Sequence, residues 1–166
     1  CCALLMTSYC NNIFFIAMIT ERDKFYGVVL RHLTKHGHPI SSLTELGDKA
    51  GHFCVNEEAF LLVKYSSYNE SPWRFSFHPD DLPILVEDHN RGGLFGGSYV
   101  CLVCGFNSVC MLREDEWSAL LHLDSTDRQQ TVTVRRAVGH SFAVSGTAGQ
   151  LNHKIPMSRF PSLIFV

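Results

Sequence analysis

The sequence predicts a single α+β domain, a mixed and largely antiparallel sheet with about three helices. A chain of 166 residues, 46% apolar and 18% charged, is one domain's worth of polymer with enough apolar side chain to build a core. Helical periodicity appears only in short separate windows, with alternating or continuously apolar runs between them. Helix follows strand too irregularly for a doubly wound parallel sheet. Neither a repeat nor a linker divides residues 18–166, which therefore read as one domain. Residues 1–17 read either as a dispensable leader, with Met18 opening the domain, or as an added strand carried by Ile13, Phe14, Phe15 and Ile16.

Thr20 and Asp23 form a capping box with the shorter acid, and Phe25, Val28, Val29, His32 and Leu33 then fall on one helical stripe that stops near Gly37. Three short extended segments follow at 40–46, 52–56 and 59–66, separated by Gly47-Asp48 and by Glu57-Glu58. Trp73, Phe75 and Phe77 alternate with Arg74, Ser76 and His78, the signature of a half-buried strand with one aromatic face. Asp80, Asp81 and Pro83 mark a helix start, because carboxylates suit the positive helix end and proline suits the first turn. That helix is expected to end near His89, and a glycine-rich connection, 91–97, leads into 99–104, apolar throughout and so a central strand. A turn at 105–107 returns the chain into 109–112, and Glu114, Asp115 and Glu116 open a third helix carrying Trp117, Leu120 and Leu121. The last third is strand-rich: 131–138 alternates, 141–144 pairs with it, and Gly146 and Gly149 mark a further turn.

Charge is polarised along the chain. Residues 1–79 carry seven basic and seven acidic groups, residues 80–127 nine acidic and two basic, and residues 128–166 five basic and none acidic. The acidic and basic segments are expected to neutralise each other in the fold. Seven cysteines is an odd number, and Cys54, Cys101, Cys104 and Cys110 sit among apolar neighbours, so they read as buried thiols of a protein in a reducing cytoplasm rather than a disulfide framework. No window reaches the roughly 18 uncharged apolar residues that a membrane-spanning helix requires.

The tripeptide logic of Phe60-Leu-Leu-Val-Lys64-Tyr-Ser, together with the order of the elements, resembles the αβββαβ core of the PD-(D/E)XK, restriction-endonuclease-like nucleases over about residues 20–104. The resemblance implies an acid near the second strand and an acid-x-Lys on the third, two carboxylates holding Mg²⁺ while the lysine positions a water. Lys64 matches, but Leu62 stands where the second acid belongs, leaving Glu57 or Glu58 to supply one carboxylate and Glu21 to contribute from the helix. The expectation is a catalytically degenerate, nuclease-like nucleic-acid-binding protein with no resident cofactor, Mg²⁺ being needed only where nuclease activity persists. The competing structural reading places Lys64 at a sheet edge with its ammonium in water, and Glu57-Glu58 at a plain hairpin tip.

Other motifs read as structural. Cys101 and Cys104 would point to opposite faces of a strand, which argues against a zinc clasp. The 91–97 segment precedes a strand, whereas a phosphate loop follows one and opens a helix. His32 and His36 lack the intervening glutamate of a helical metalloprotease motif, and Gly139-His-Ser141 lacks the flanking glycines of a nucleophile elbow. In the basic tail, Arg135, Arg136, His140, Lys154 and Arg159 interleave with Phe142 and Phe160, as on surfaces that bind a nucleic-acid backbone, although adjacent Arg135 and Arg136 must face opposite ways. The alternative from another class is a protein-interaction module, an assembly or immunity component, contacting another chain through Trp73, Tyr68, Leu94 and Phe95.

Overall fold

Thr20 caps the first helix, α1 (Glu21–Lys35): its hydroxyl accepts from the Asp23 amide at 3.3 Å while the Asp23 carboxylate accepts from the Thr20 amide at 2.7 Å. The computed structural model describes residues 18–92, 97–125 and 127–166; residues 1–17, and with them the expected leader or added strand, lie outside the described part, as do Leu94 and Phe95. Of the α1 stripe, Phe25, Val29 and Leu33 are buried, whereas Val28 and His32 stay at the exposed margin.

The strands then run β1 (Leu43–Glu45), β2 (His52–Val55), β3 (Ala59–Ser66) and β4 (Trp73–Phe77), followed by α2 (Asp81–Gly92), β5 (Gly97–Cys104), β6 (Ser108–Leu112) and α3 (Glu114–Leu120). The basic tail holds β7 (Gln130–Arg135), β8 (Ala143–Gly146) and two short 3-10 turns, Met157–Arg159 and Ser162–Phe165. The described residues form an α+β fold with two sheets. One has the order β1-β2-β3-β5-β6 and the other β4-β7-β8. Every pairing is antiparallel except β3 with β5. Two expected strands are shorter than their alternation suggested: only Leu43–Glu45 of the first pairs, and β7 ends at Arg135, leaving Val138 exposed.

Alternation along β3 and β5 sorts the core into two layers. On one face Leu61, Val63, Cys101 and Val103 pack beneath α1, joined at the margin by Phe160, Leu163, Ile164 and Phe165 from the C-terminal turns. On the other, Leu62, Val100, Leu102 and Cys104 meet Leu82 and Leu85 of α2, Trp117 and Leu120 of α3, and the inner face of the second sheet: Trp73, Phe75, Phe77, Val132, Val134 and Val144. Trp73 is 1% exposed and its indole N–H donates to the Tyr68 carbonyl at 2.8 Å, so it is a core residue rather than the exposed contact residue expected from the sequence; Tyr68 itself is exposed. Cys101 and Cys104 do face opposite layers. No helix among the described residues is long and apolar enough to cross a membrane.

Candidate functional site

A parallel neighbour requires the chain to cross back, and here the return is α2, which runs against both β3 and β5. The start of α2 therefore lies over the C-terminal part of β3, and its end meets the beginning of β5, where Gly92 abuts Gly97. This geometry sets Asp81, the first residue of α2, beside Lys64.

Lys64 shares the Leu62 face of β3 and points between the two sheets. Because β3 is the middle strand of the five, Lys64 is not at a sheet edge. Its Nζ donates to Asp81 Oδ2 at 2.5 Å and lies 5.3 Å from the centroid of the Phe77 ring. Asp81 is fully buried. Oδ2 also accepts from the His78 amide at 2.7 Å, and Oδ1 lies 2.8 Å from Lys49 Nζ, an ion contact at an angle outside hydrogen-bond geometry. Lys49 donates in addition to the exposed Asp80 at 2.9 Å. Burial pulls Lys64 below the ordinary lysine value by more than the Asp81 bond restores. For Lys49, burial acts downward too, but its contacts with Asp81 and Asp80 win and raise it.

Above this floor opens a cleft of about 440 Å³ lined by Arg22 and Tyr26 of α1, Asp48, Lys49 and Ala50, Lys64 and Tyr65 of β3, and Arg74, Ser76 and His78 on or just after β4. Four of these side chains are arginine or lysine and one is a carboxylate. Arg22 and Arg74 are exposed and make no ion pair among the described residues. Sequence reasoning found Lys64 but missed Asp81, Lys49, Arg22 and Arg74. The pair of aspartates at 80 and 81 was legible only as a helix start; the signal that could have found the partner is the lysine itself, since an ammonium inside an apolar run demands a carboxylate.

Glu57 and Glu58 are exposed in the turn before β3, where Asn56 and Glu57 both have positive φ, and six residues of extended chain separate Glu58 from Lys64, about 20 Å. Glu21 is exposed in the first turn of α1. None of the three lines the cleft. A Mg²⁺ centre does not fit these residues. Leu62 is 1% exposed in the core, the oxygens of Asp81 already face two ammonium groups and an amide, and among the described residues no three His, Cys, Asp or Glu side chains gather to hold an ion.

In the basic tail, Arg135, Arg136, His140 and Lys154 line a second, shallow hollow of about 450 Å³ together with Ser71. Arg136 lies over the rings of Trp73 and Phe142 and donates to Asn107 at 2.7 Å, whereas Arg135 is exposed and, among the described residues, its side chain reaches only Ser145, at 3.3 Å. Arg159 is elsewhere: it donates to the buried Glu116 of α3 at 2.5 and 2.7 Å, and His153 Nε2 lies 2.8 Å from the same carboxylate. Burial works to raise Glu116, yet these partners and the Arg113 amide outweigh it and hold the carboxyl below its usual value. The acidic segment and the basic tail thus neutralise each other at Glu116, whereas Arg135 and Lys154 make no ion pair among the described residues. His52 Nε2 lies 2.7 Å from Asp88 Oδ2, a buried pair that ties β2 to α2. No protein-family model, curated protein or solved structure matches the chain.

Proposed function

We propose that this domain binds the phosphate backbone of nucleic acid without hydrolysing it, in a reducing cytoplasm where its buried thiols stay free. The observation that supports this reading is the cleft over Asp81: the carboxylate fixes the Lys64 and Lys49 ammonium groups at its floor, and Arg22 and Arg74 stand at its mouth with no carboxylate partner among the described residues. Asp81 offsets only part of the cost of burying the Lys64 ammonium, while Arg22 and Arg74, which are exposed, keep a net attraction for an anion. The donor set that nuclease chemistry would need is missing on the side of the carboxylates, so the nuclease-like order of elements is read as a binding scaffold.

The test is an anisotropy titration of labelled oligonucleotides at rising salt, followed by incubation with Mg²⁺ or Mn²⁺. Binding that weakens steeply with salt, falls in the Arg22→Gln/Arg74→Gln variant and leaves the oligonucleotide intact is the expected result. Cleavage, or no binding at low salt, overturns the reading.

A second reading, contact with another protein, draws on a different surface. Phe25, Val28, Phe106, Met157 and Phe160 line an apolar hollow of about 330 Å³ between α1 and the β5–β6 turn, and Phe106 is 81% exposed while stacking on Phe25. Association through that surface would be insensitive to salt and would be lost in Phe106→Ser.

A further inference from the structure

We infer that the cleft and the second hollow are the two ends of one track for single-stranded nucleic acid, crossing the outer face of the β4-β7-β8 sheet. The inference rests on the phosphate reading of the cleft and adds to it the class of nucleic acid and the path it takes. In β4 the aromatic residues point inward, which turns Arg74 and Ser76 outward; in β7 the buried Val132 and Val134 turn Thr133 and Arg135 outward. Arg74 is in register with Thr133. Arg135, two residues further along the same face, is then the diagonal neighbour of Arg74, about 7–8 Å away between Cα atoms. Arg74 lines the cleft and Arg135 lines the hollow, so the two cationic sites adjoin across a single strand pairing.

The surface between them suits a backbone. Outward positions of the three strands carry arginine, serine, threonine and alanine, with no carboxylate to repel a phosphate. Lys154 extends the positive edge beyond Arg135, with the His140 side chain beside it as a polar neighbour. Two features select a single strand over a duplex. A cleft of about 440 Å³ is the size that takes one small ligand, here one nucleotide unit. Its walls include the half-buried side chains of Tyr26 and Tyr65; Tyr65 stacks on Phe25 and meets Tyr26 edge-on, so an unstacked base, which a duplex keeps inside its own stack, would meet the parts of the two rings that still line the cleft.

The experiment compares a labelled oligothymidylate with a hairpin duplex on the full chain. For the parent, four backbone contacts from Arg22, Arg74, Arg135 and Lys154 give a slope of log K against log salt of about −2.8, at about 0.7 for each contact on a single strand. Arg135→Gln/Lys154→Gln should flatten that slope by about 1.4, and Arg135→Lys/Lys154→Arg, which keeps both charges, should restore it. Both positions are exposed, so the thermal midpoint should not move. Parental affinity and slope in Arg135→Gln/Lys154→Gln, alongside weakened binding in Arg22→Gln/Arg74→Gln, overturn the track and leave the cleft reading standing. Duplex binding as tight as single-strand binding overturns the choice of a single strand. Absence of any binding by the parent at low salt removes both readings together.

Discussion

Asp81 is a buried carboxylate with two ammonium partners, and the asymmetry of such a cluster decides what its variants do. Taking away the carboxylate leaves the Lys64 ammonium beside the Phe77 ring without its carboxylate and Lys49 with Asp80, at a cost of about 3–5 kcal/mol, whereas taking away one ammonium leaves Asp81 still held by the other and by the His78 amide. Asp81→Asn should therefore lower the urea midpoint far more than Lys64→Met; equal losses would show that the cluster does not act as a unit around Asp81. Glu116 allows a test by pH. Its folded value lies below the unfolded 4.5, so its contribution is complete above 4.5 and is lost as pH falls through the folded value. Glu116→Gln removes that dependence, and the stability of the variant should change less than the parent's between about pH 5 and pH 3. Parallel curves would mean that Arg159 and His153 do not lower the carboxyl.

Strand β5 shows at the scale of an element how much a local pattern reveals. Its unbroken apolar run identified a central strand, and the alternation rule put Cys101 and Cys104 on opposite faces, as the two core layers show. Burial pushes both thiols up to about 12, far above the pH at which alkylating reagents meet thiolate. In the native chain Cys101, Cys104 and Cys110 should resist iodoacetamide and become labelled only in denaturant, read by peptide mass; rapid native labelling of any of them would contradict the packing of β5 and β6. The capping box of α1 was equally legible, since Thr20 and Asp23 are three residues apart. Strand β4 was legible as a strand but not as the edge of a second sheet. Its alternation says that one face is buried without saying against what, and its partner β7 lies on the far side of two helices in sequence. Lys64 and Asp81 were unreadable as a pair for the same reason: only the direction of the crossover helix brings them together.

For the molecule as a whole, the C-terminal residues act as a clasp that joins the two core layers. Arg159 reaches Glu116 at the start of α3, while Phe160, Leu163, Ile164 and Phe165 close the margin of the α1 layer. Arg159 is consequently a structural cation, in contrast to Arg135 and Lys154, which are exposed and have no carboxylate partner among the described residues. The two roles separate in one experiment. Arg159→Gln leaves the 1%-exposed Glu116 with His153 as its remaining side-chain partner, and breaking a buried pair from one side costs about 3–5 kcal/mol, so the urea midpoint should fall clearly. Measured well below its melting temperature, the same variant should keep the parent's salt slope for an oligonucleotide, because no phosphate contact has gone. Glu116→Gln/Arg159→Gln, which removes both charges, should recover part of the lost stability. A slope shallower by about 0.7 in Arg159→Gln, with stability unchanged, would reverse the assignment and place Arg159 on the nucleic-acid path instead of at the clasp.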